Sequence, residues 1–93
     1  MRTIEWTSQF KRDYRRERKG KHSATLEDDL FSVVEALAND QSLEPRHRDQ
    51  ALVGDWKDHR DCHIKPDLVM IYRKAVAGPL QLVRLGSHSE LGL

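Results

Sequence analysis

An α+β domain, with a helical hairpin laid across one face of an antiparallel sheet in the order β-α-α-β-β-β, is the fold this sequence predicts. Apolar residues recur at helical spacing before Asn39 and alternate at strand spacing after about Ala51, so the two halves favour different secondary structure. A chain of 93 residues buries one modest core. A single domain over residues 1–93 follows, with the two halves packed on each other.

Thr3-Ile4-Glu5-Trp6 alternates as a short strand, and Ser8 stands where an N-cap would open a helix. Trp6, Phe10 and Tyr14 recur every fourth residue along one helix face, and Gly20 supplies the stop. A second helix is expected from Ser23, with Leu26, Leu30, Val33, Val34 and Leu37 as its apolar stripe. Asp28 and Asp29 favour the positive end of its dipole, and Asn39-Asp40 closes it. Beyond the connector, Trp56 to Ile64 reads as a strand and Lys65-Pro66-Asp67 as a turn. Leu68 to Arg73 is a central strand, Ala77-Gly78-Pro79 a reversal, and Leu80 to Leu85 the last strand.

Hydrophobic residues at 38% and charged residues at 33% fit a water-soluble chain without a membrane span. Met1-Arg2-Thr3-Ile4-Glu5-Trp6 has no apolar targeting segment, and Cys62 stands alone, so a cytoplasmic location is expected. Net charge is only +1, yet Lys11 to His22 holds seven Lys or Arg against Asp13 and Glu17. Such a strip is either a solvated helix face or a surface that follows phosphates.

Polar chemistry concentrates in Leu52 to Asp67 and in Gly86 to Leu91. His63 and Asp67 flank the Lys65-Pro66 turn, where a carboxylate beside an imidazole would orient it and raise its basicity. His88 follows the last strand and a glycine, which delivers it towards the same sheet edge. Arg60, three residues before His63, should point to the other side of the pleat unless a bulge re-aims it. His59 and His63 have a zinc-like spacing, but on a strand they stand roughly 13 Å apart, so no metal is expected. Cys62 reads as a buried hydrophobe, His22 and His47 as surface histidines, and Trp6, Trp56 and Tyr72 as core.

The string Leu52-Val53-Gly54-Asp55-Trp56-Lys57-Asp58-His59-Arg60-Asp61-Cys62-His63-Ile64-Lys65-Pro66-Asp67, followed by Val69 to Tyr72 and Gly86-Ser87-His88-Ser89-Glu90-Leu91, resembles the YafQ branch of the RelE toxin superfamily over essentially the whole chain. The resemblance implies a RelE-like fold and a ribosome-dependent endoribonuclease toxin, silenced by a cognate antitoxin, that cuts mRNA in the ribosomal A site. It nominates His63, Asp67 and His88 as catalytic. Gln50 stands where relatives usually carry a further histidine, and Gly92-Leu93 where they tend to carry an aromatic, which predicts weakened cleavage.

RNA brings its own nucleophile, the 2′-hydroxyl, so cleavage needs neither cofactor nor metal. His88 is expected to protonate the leaving 5′-oxygen and Asp67 or His63 to take the 2′-hydroxyl proton. Gln50, Lys57 and Arg60 would hold the phosphate and RNA. The helix bearing Lys11, Arg12, Arg15, Arg16 and Lys19 is expected to meet ribosomal RNA. Two rival readings share the fold: a nucleic-acid-binding or antitoxin-partner module that cuts nothing, and a ParE-like gyrase inhibitor.

Overall fold

The computed structural model describes residues 1–93. Strand β1 (Ile4–Trp6) passes through Thr7 into helix α1 (Ser8–Glu17). Thr7, not Ser8, is the N-cap, and its hydroxyl accepts from the Phe10 amide at 3.1 Å. A run of turns from Arg18 to Thr25 reaches helix α2 (Leu26–Ala38), which starts three residues later than the serine signal suggests. The second half supplies β2 (Gln50–Ala51), β3 (Arg60–Lys65), β4 (Leu68–Lys74), β5 (Leu80–Gly86) and the one-turn helix α3 (His88–Leu91). Single 3₁₀ turns at Pro45–His47 and Gly54–Trp56 punctuate the connector, so Trp56 stands in a turn rather than in a strand.

The strands order as β1-β5-β4-β3-β2. The last four pair antiparallel, and β1 pairs parallel to β5 at Ile4 with Leu80 and Trp6 with Leu82. A parallel pair needs a crossover connection, and the helical hairpin, followed by the β2-β3-β4 segment, provides it. The hairpin packs on one sheet face as expected. Phe10, Leu26, Leu30, Val33 and Leu37 meet Cys62, Met70, Tyr72, Leu80, Leu82 and Leu85 in the main core. Trp6, expected on the helix face with Phe10 and Tyr14, instead ends β1, and from there stands edge-on to both rings, with centroids 5.1 and 5.4 Å away.

The opposite sheet face carries a smaller cluster of Val69, Ile71 and Leu91, shielded by Leu52, Trp56 and Val83. Because β1 is only three residues long, the outer edge of β5 beyond Leu82 has no strand beside it. Side chains from Thr7 and α1 take that place. Thr7 Oγ1 donates to the Val83 carbonyl at 3.0 Å, the Leu85 amide donates to Asp13 Oδ2 at 2.9 Å, and Arg16 Nη2 donates to the Leu85 carbonyl at 2.7 Å. An otherwise open sheet edge is thereby satisfied.

Candidate active site

Cross-strand register decides which polar side chains meet. Gln50 pairs with Asp61 and Asp61 with Ile71, while His63 pairs with Val69. Directly paired residues share a face. Gln50, Asp61 and His63 therefore lie on the side of Val69 and Ile71, away from the helical hairpin. A register shift between His63 and Lys65 ends this alternation, and His47 Nδ1 donates to the His63 carbonyl at 2.6 Å beside it. His47, expected free on the surface, is half-buried and braces the strand at His63.

β5 ends at Gly86, and Ser87 caps α3 with its hydroxyl accepting from the Glu90 amide, while Glu90 accepts from the Ser87 amide at 2.9 Å. His88 is the first residue of that turn and is exposed. Gly92 ends it in the left-handed conformation, φ 71°, that glycine adopts without penalty. The result places the His88 and His63 rings with centroids 4.9 Å apart, tilted by 56°. His63 is 8% exposed, so the pair joins one sheltered imidazole to one open to solvent.

Asp61 is the residue that motif reading passes over. Its side chain is sealed, 1% exposed, and Oδ1 has no hydrogen-bond partner. Burial pushes its carboxyl above the usual range, opposed by the Gln50 amide and by His63 and His88. The period-2 spacing of Asp61 and His63 was the available signal, since it puts both on one face. What sequence could not show was that Leu91 of α3, with Leu52 and Trp56 from the segment after β2, closes over that face.

The other nominated residues are distributed differently. Asp67 stands in the β3-β4 turn outside this group, paired with Lys21 and lying 2.8 Å from His22 Nε2. Lys21 is the main cause holding its carboxyl below the usual range, and His22 adds to it. Arg60 follows the pleat, as alternation alone predicts: it pairs with Tyr72, and its Nε donates to Asp49 at 3.1 Å. It does not reach the histidine pair's face, which corrects its assignment to the phosphate. Lys57 is exposed beside the Gly54–Trp56 turn. Lys11, Arg12 and Arg15 are exposed on α1; Lys19, expected on the same helix, is exposed in the turns beyond its end at Glu17, and Arg16 is drawn into contacts with Asp13, Glu17 and Glu90. Cys62 is buried in the main core, and burial pushes its thiol up, far from a reactive thiolate.

The profile of the bacterial toxin of type II toxin-antitoxin systems, YafQ, matches residues 2–92. This chain belongs to the YafQ family. It is 30% identical to the mRNA interferase toxin YafQ of Escherichia coli K12, across 97% of this chain and 95% of that protein. Among solved structures it resembles a metal-bound toxin from Helicobacter pylori, at 41% identity, TM-score 0.81 and coverage of 98% and 99% of the two chains. It also resembles a chain of the E. coli DinJ-YafQ complex, at 29% identity, TM-score 0.80 and 98% of each chain. The α+β architecture and its mostly antiparallel sheet are thus the YafQ architecture. No group of three or more His, Cys, Asp or Glu side chains in this chain is arranged to hold a metal ion. No helix is long and apolar enough to cross a membrane.

Proposed function

We propose that this YafQ-family toxin is a ribosome-dependent endoribonuclease, held inactive by an antitoxin and acting in the cytoplasm on mRNA. The observation that carries the reading is the His63–His88 pair, centroids 4.9 Å apart, over the buried Asp61 carboxylate. An imidazole pair can run both proton transfers of phosphodiester cleavage through the 2′-hydroxyl. His63, sheltered and beside a carboxylate, takes the 2′-hydroxyl proton. His88, solvent-facing at the start of α3, returns a proton to the departing 5′-oxygen. Asp61 stands beside them as a sealed carboxyl group with one oxygen free of any hydrogen-bond partner.

Asp67 is the weaker base in this arrangement, because Lys21 and His22 already hold its carboxylate. Register sets Arg84 in one cross-strand row with Ile71, Asp61 and Gln50, but its Nε donates to Asp13 at 2.8 Å, so it lends positive charge at the border of that face rather than a direct grip on the phosphate. Lys57 reaches for flanking phosphates, and Gln50 contacts the RNA as a hydrogen-bonding group that cannot titrate. The antitoxin partner is supported by the DinJ-YafQ complex of the E. coli relative, and mRNA as substrate by that family's mRNA interferase toxin.

The test is cleavage of ribosome-bound message by the parent and by His88→Ala, with mapping of the product ends. The parent should leave 2′,3′-cyclic phosphate, and the variant should lose about 10²- to 10⁴-fold in rate while keeping its fold. Equal cleavage by the two proteins would refute the assignment. Intact RNA with parental ribosome binding would favour the non-cleaving module.

A further inference from the structure

The basic run on α1 looks like one docking strip, yet Arg16 does not behave like its neighbours. All three of its guanidinium nitrogens are occupied within the protein. Nη1 donates to Asp13 at 3.0 Å, Nη2 to the Leu85 carbonyl at 2.7 Å, and Nε to Glu17 at 2.9 Å, with Glu90 a further 3.4 Å from Nε. Asp13, 2% exposed, also accepts from the Leu85 amide at 2.9 Å and from Arg84 Nε at 2.8 Å. Both backbone polar groups of Leu85 are therefore gripped from α1. The grip falls just before Gly86, Ser87 and His88. A Cβ on Gly86 would stand 3.0 Å from Arg16 Nη2 and 3.3 Å from Glu90 Oε1, so a glycine there lets the guanidinium reach across the corner.

We infer that Asp13 and Arg16 are positioning residues for His88, clamping the β5–α3 corner from α1, and that Arg16 is not part of the RNA-docking face. The inference rests on His88 acting as the acid. The physical reason is geometric: α3 is a single turn, too short to fix its own orientation, so the direction of the His88 ring is set by whatever holds the corner beneath it. Arg16 holds that corner through the strand carbonyl and through Glu90, the residue that closes the capping box. Displacing a catalytic group by about an ångström typically costs two orders of magnitude in rate.

Docking and clamping make opposite predictions for two Arg16 variants. Arg16→Lys keeps the charge that a polyanion would attract but loses the planar fork that spans Asp13 and Leu85. Arg16→Lys, Arg16→Gln and Arg12→Gln would be assayed with mRNA-programmed ribosomes. In the free proteins, the nuclear Overhauser contact between the His63 and His88 rings would be measured alongside.

Both Arg16 variants should lower kcat by on the order of 10- to 100-fold with KM near parental, and should weaken the ring contact. Arg12→Gln should raise KM alone. A lysine variant with parental kcat and ring contact, or an Arg16→Gln whose only change is in KM, would overturn the clamp. Arg16 is half-exposed, so both replacements should fold, which far-ultraviolet circular dichroism checks; Asp13→Asn, if folded, should reproduce the Arg16→Gln pattern. Should the parent cut no RNA, the proposed function falls by itself, and the ring contact still decides whether α1 positions His88.

Discussion

At the scale of single residues, Asp61 is where the proposed activity should run against stability. A sealed carboxylate with one oxygen unpartnered is held at a cost, and burial raises its pKa from the ordinary 3.8. The sign follows from that direction. The folded protein binds this proton more tightly than the unfolded chain, so stability contributed by the protonated group is lost as pH climbs from the ordinary value through the raised one. Asp61→Asn should therefore melt higher than the parent at pH 7, by on the order of 1 kcal/mol, with a smaller gap at pH 4. Its cleavage rate should fall. Thermal melts at the two pH values check the first part, and a variant less stable than the parent at pH 7 would contradict it. Gln50→His makes the complementary change, adding a titratable ring opposite Asp61. Cleavage should rise by about tenfold or more if the missing histidine limits this chain, measured on the same ribosome-bound message.

Among the elements, α3 is the most exposed to acid. The Ser87 amide is the leading cause that lowers the Glu90 pKa from the ordinary 4.5. A depressed carboxylate stabilises above its unfolded value and loses that contribution as pH falls through the folded one. The capping box should then open in acid while the sheet stays intact. Protection of the Glu90 and Leu91 amides against exchange, relative to the unfolded chain, should fall ahead of β4 as pH drops below the ordinary 4.5, and Ser87→Ala should bring the same fraying at neutral pH, at a cost of about 1 kcal/mol. Helix α1 makes a different prediction. Arg12 and Arg15 are exposed and, unlike Arg16, have no intramolecular ion-pair partner, so reversing both to glutamate should weaken ribosome binding and flatten its salt dependence. Binding measured across a salt series reads this directly, and an unchanged slope would mean a merely solvated face.

For the molecule as a whole, the helical hairpin and the sheet hold each other. Leu30 is fully buried between them, and Leu30→Ala should cost about 2–5 kcal/mol, visible in a denaturant titration. Around that core, ion pairs close the ends. Lys65 ties the β3-β4 turn to Thr25 and Asp29, and Lys21 and His22 tie the preceding loop to Asp67. Arg2 donates to Asp40 at 2.7 Å and to the Ala75 and Gly78 carbonyls at 2.6 and 2.8 Å, joining the chain's start to the end of α2 and the β4-β5 reversal.

Periodicity made the large pieces legible. The leucine and valine stripe of α2 and the apolar runs of β4 and β5 bury the faces their spacing implies, and Cys62 lies in the core as its alternation from His63 requires. Short elements escaped this reading because a two-residue β2 and a four-residue α3 are too brief to show a period. Arg60 shows the limit in the other direction: the pleat places it away from His63, and the register shift that could have re-aimed it falls between His63 and Lys65 instead.

Local chemistry, written along the chain, determined that this protein has two amphipathic helices, alternating strands, a basic helix and the YafQ signature. Those properties depend on neighbours within a turn or a strand, so the order of residues suffices. Tertiary structure alone decided that His63 and His88 meet, that Asp61 is buried beside them while Asp67 is held by Lys21, and that Arg16 turns inward. Each of these depends on strand register and on the α3 corner closing over the sheet, contacts between residues far apart in sequence whose partners no local pattern names.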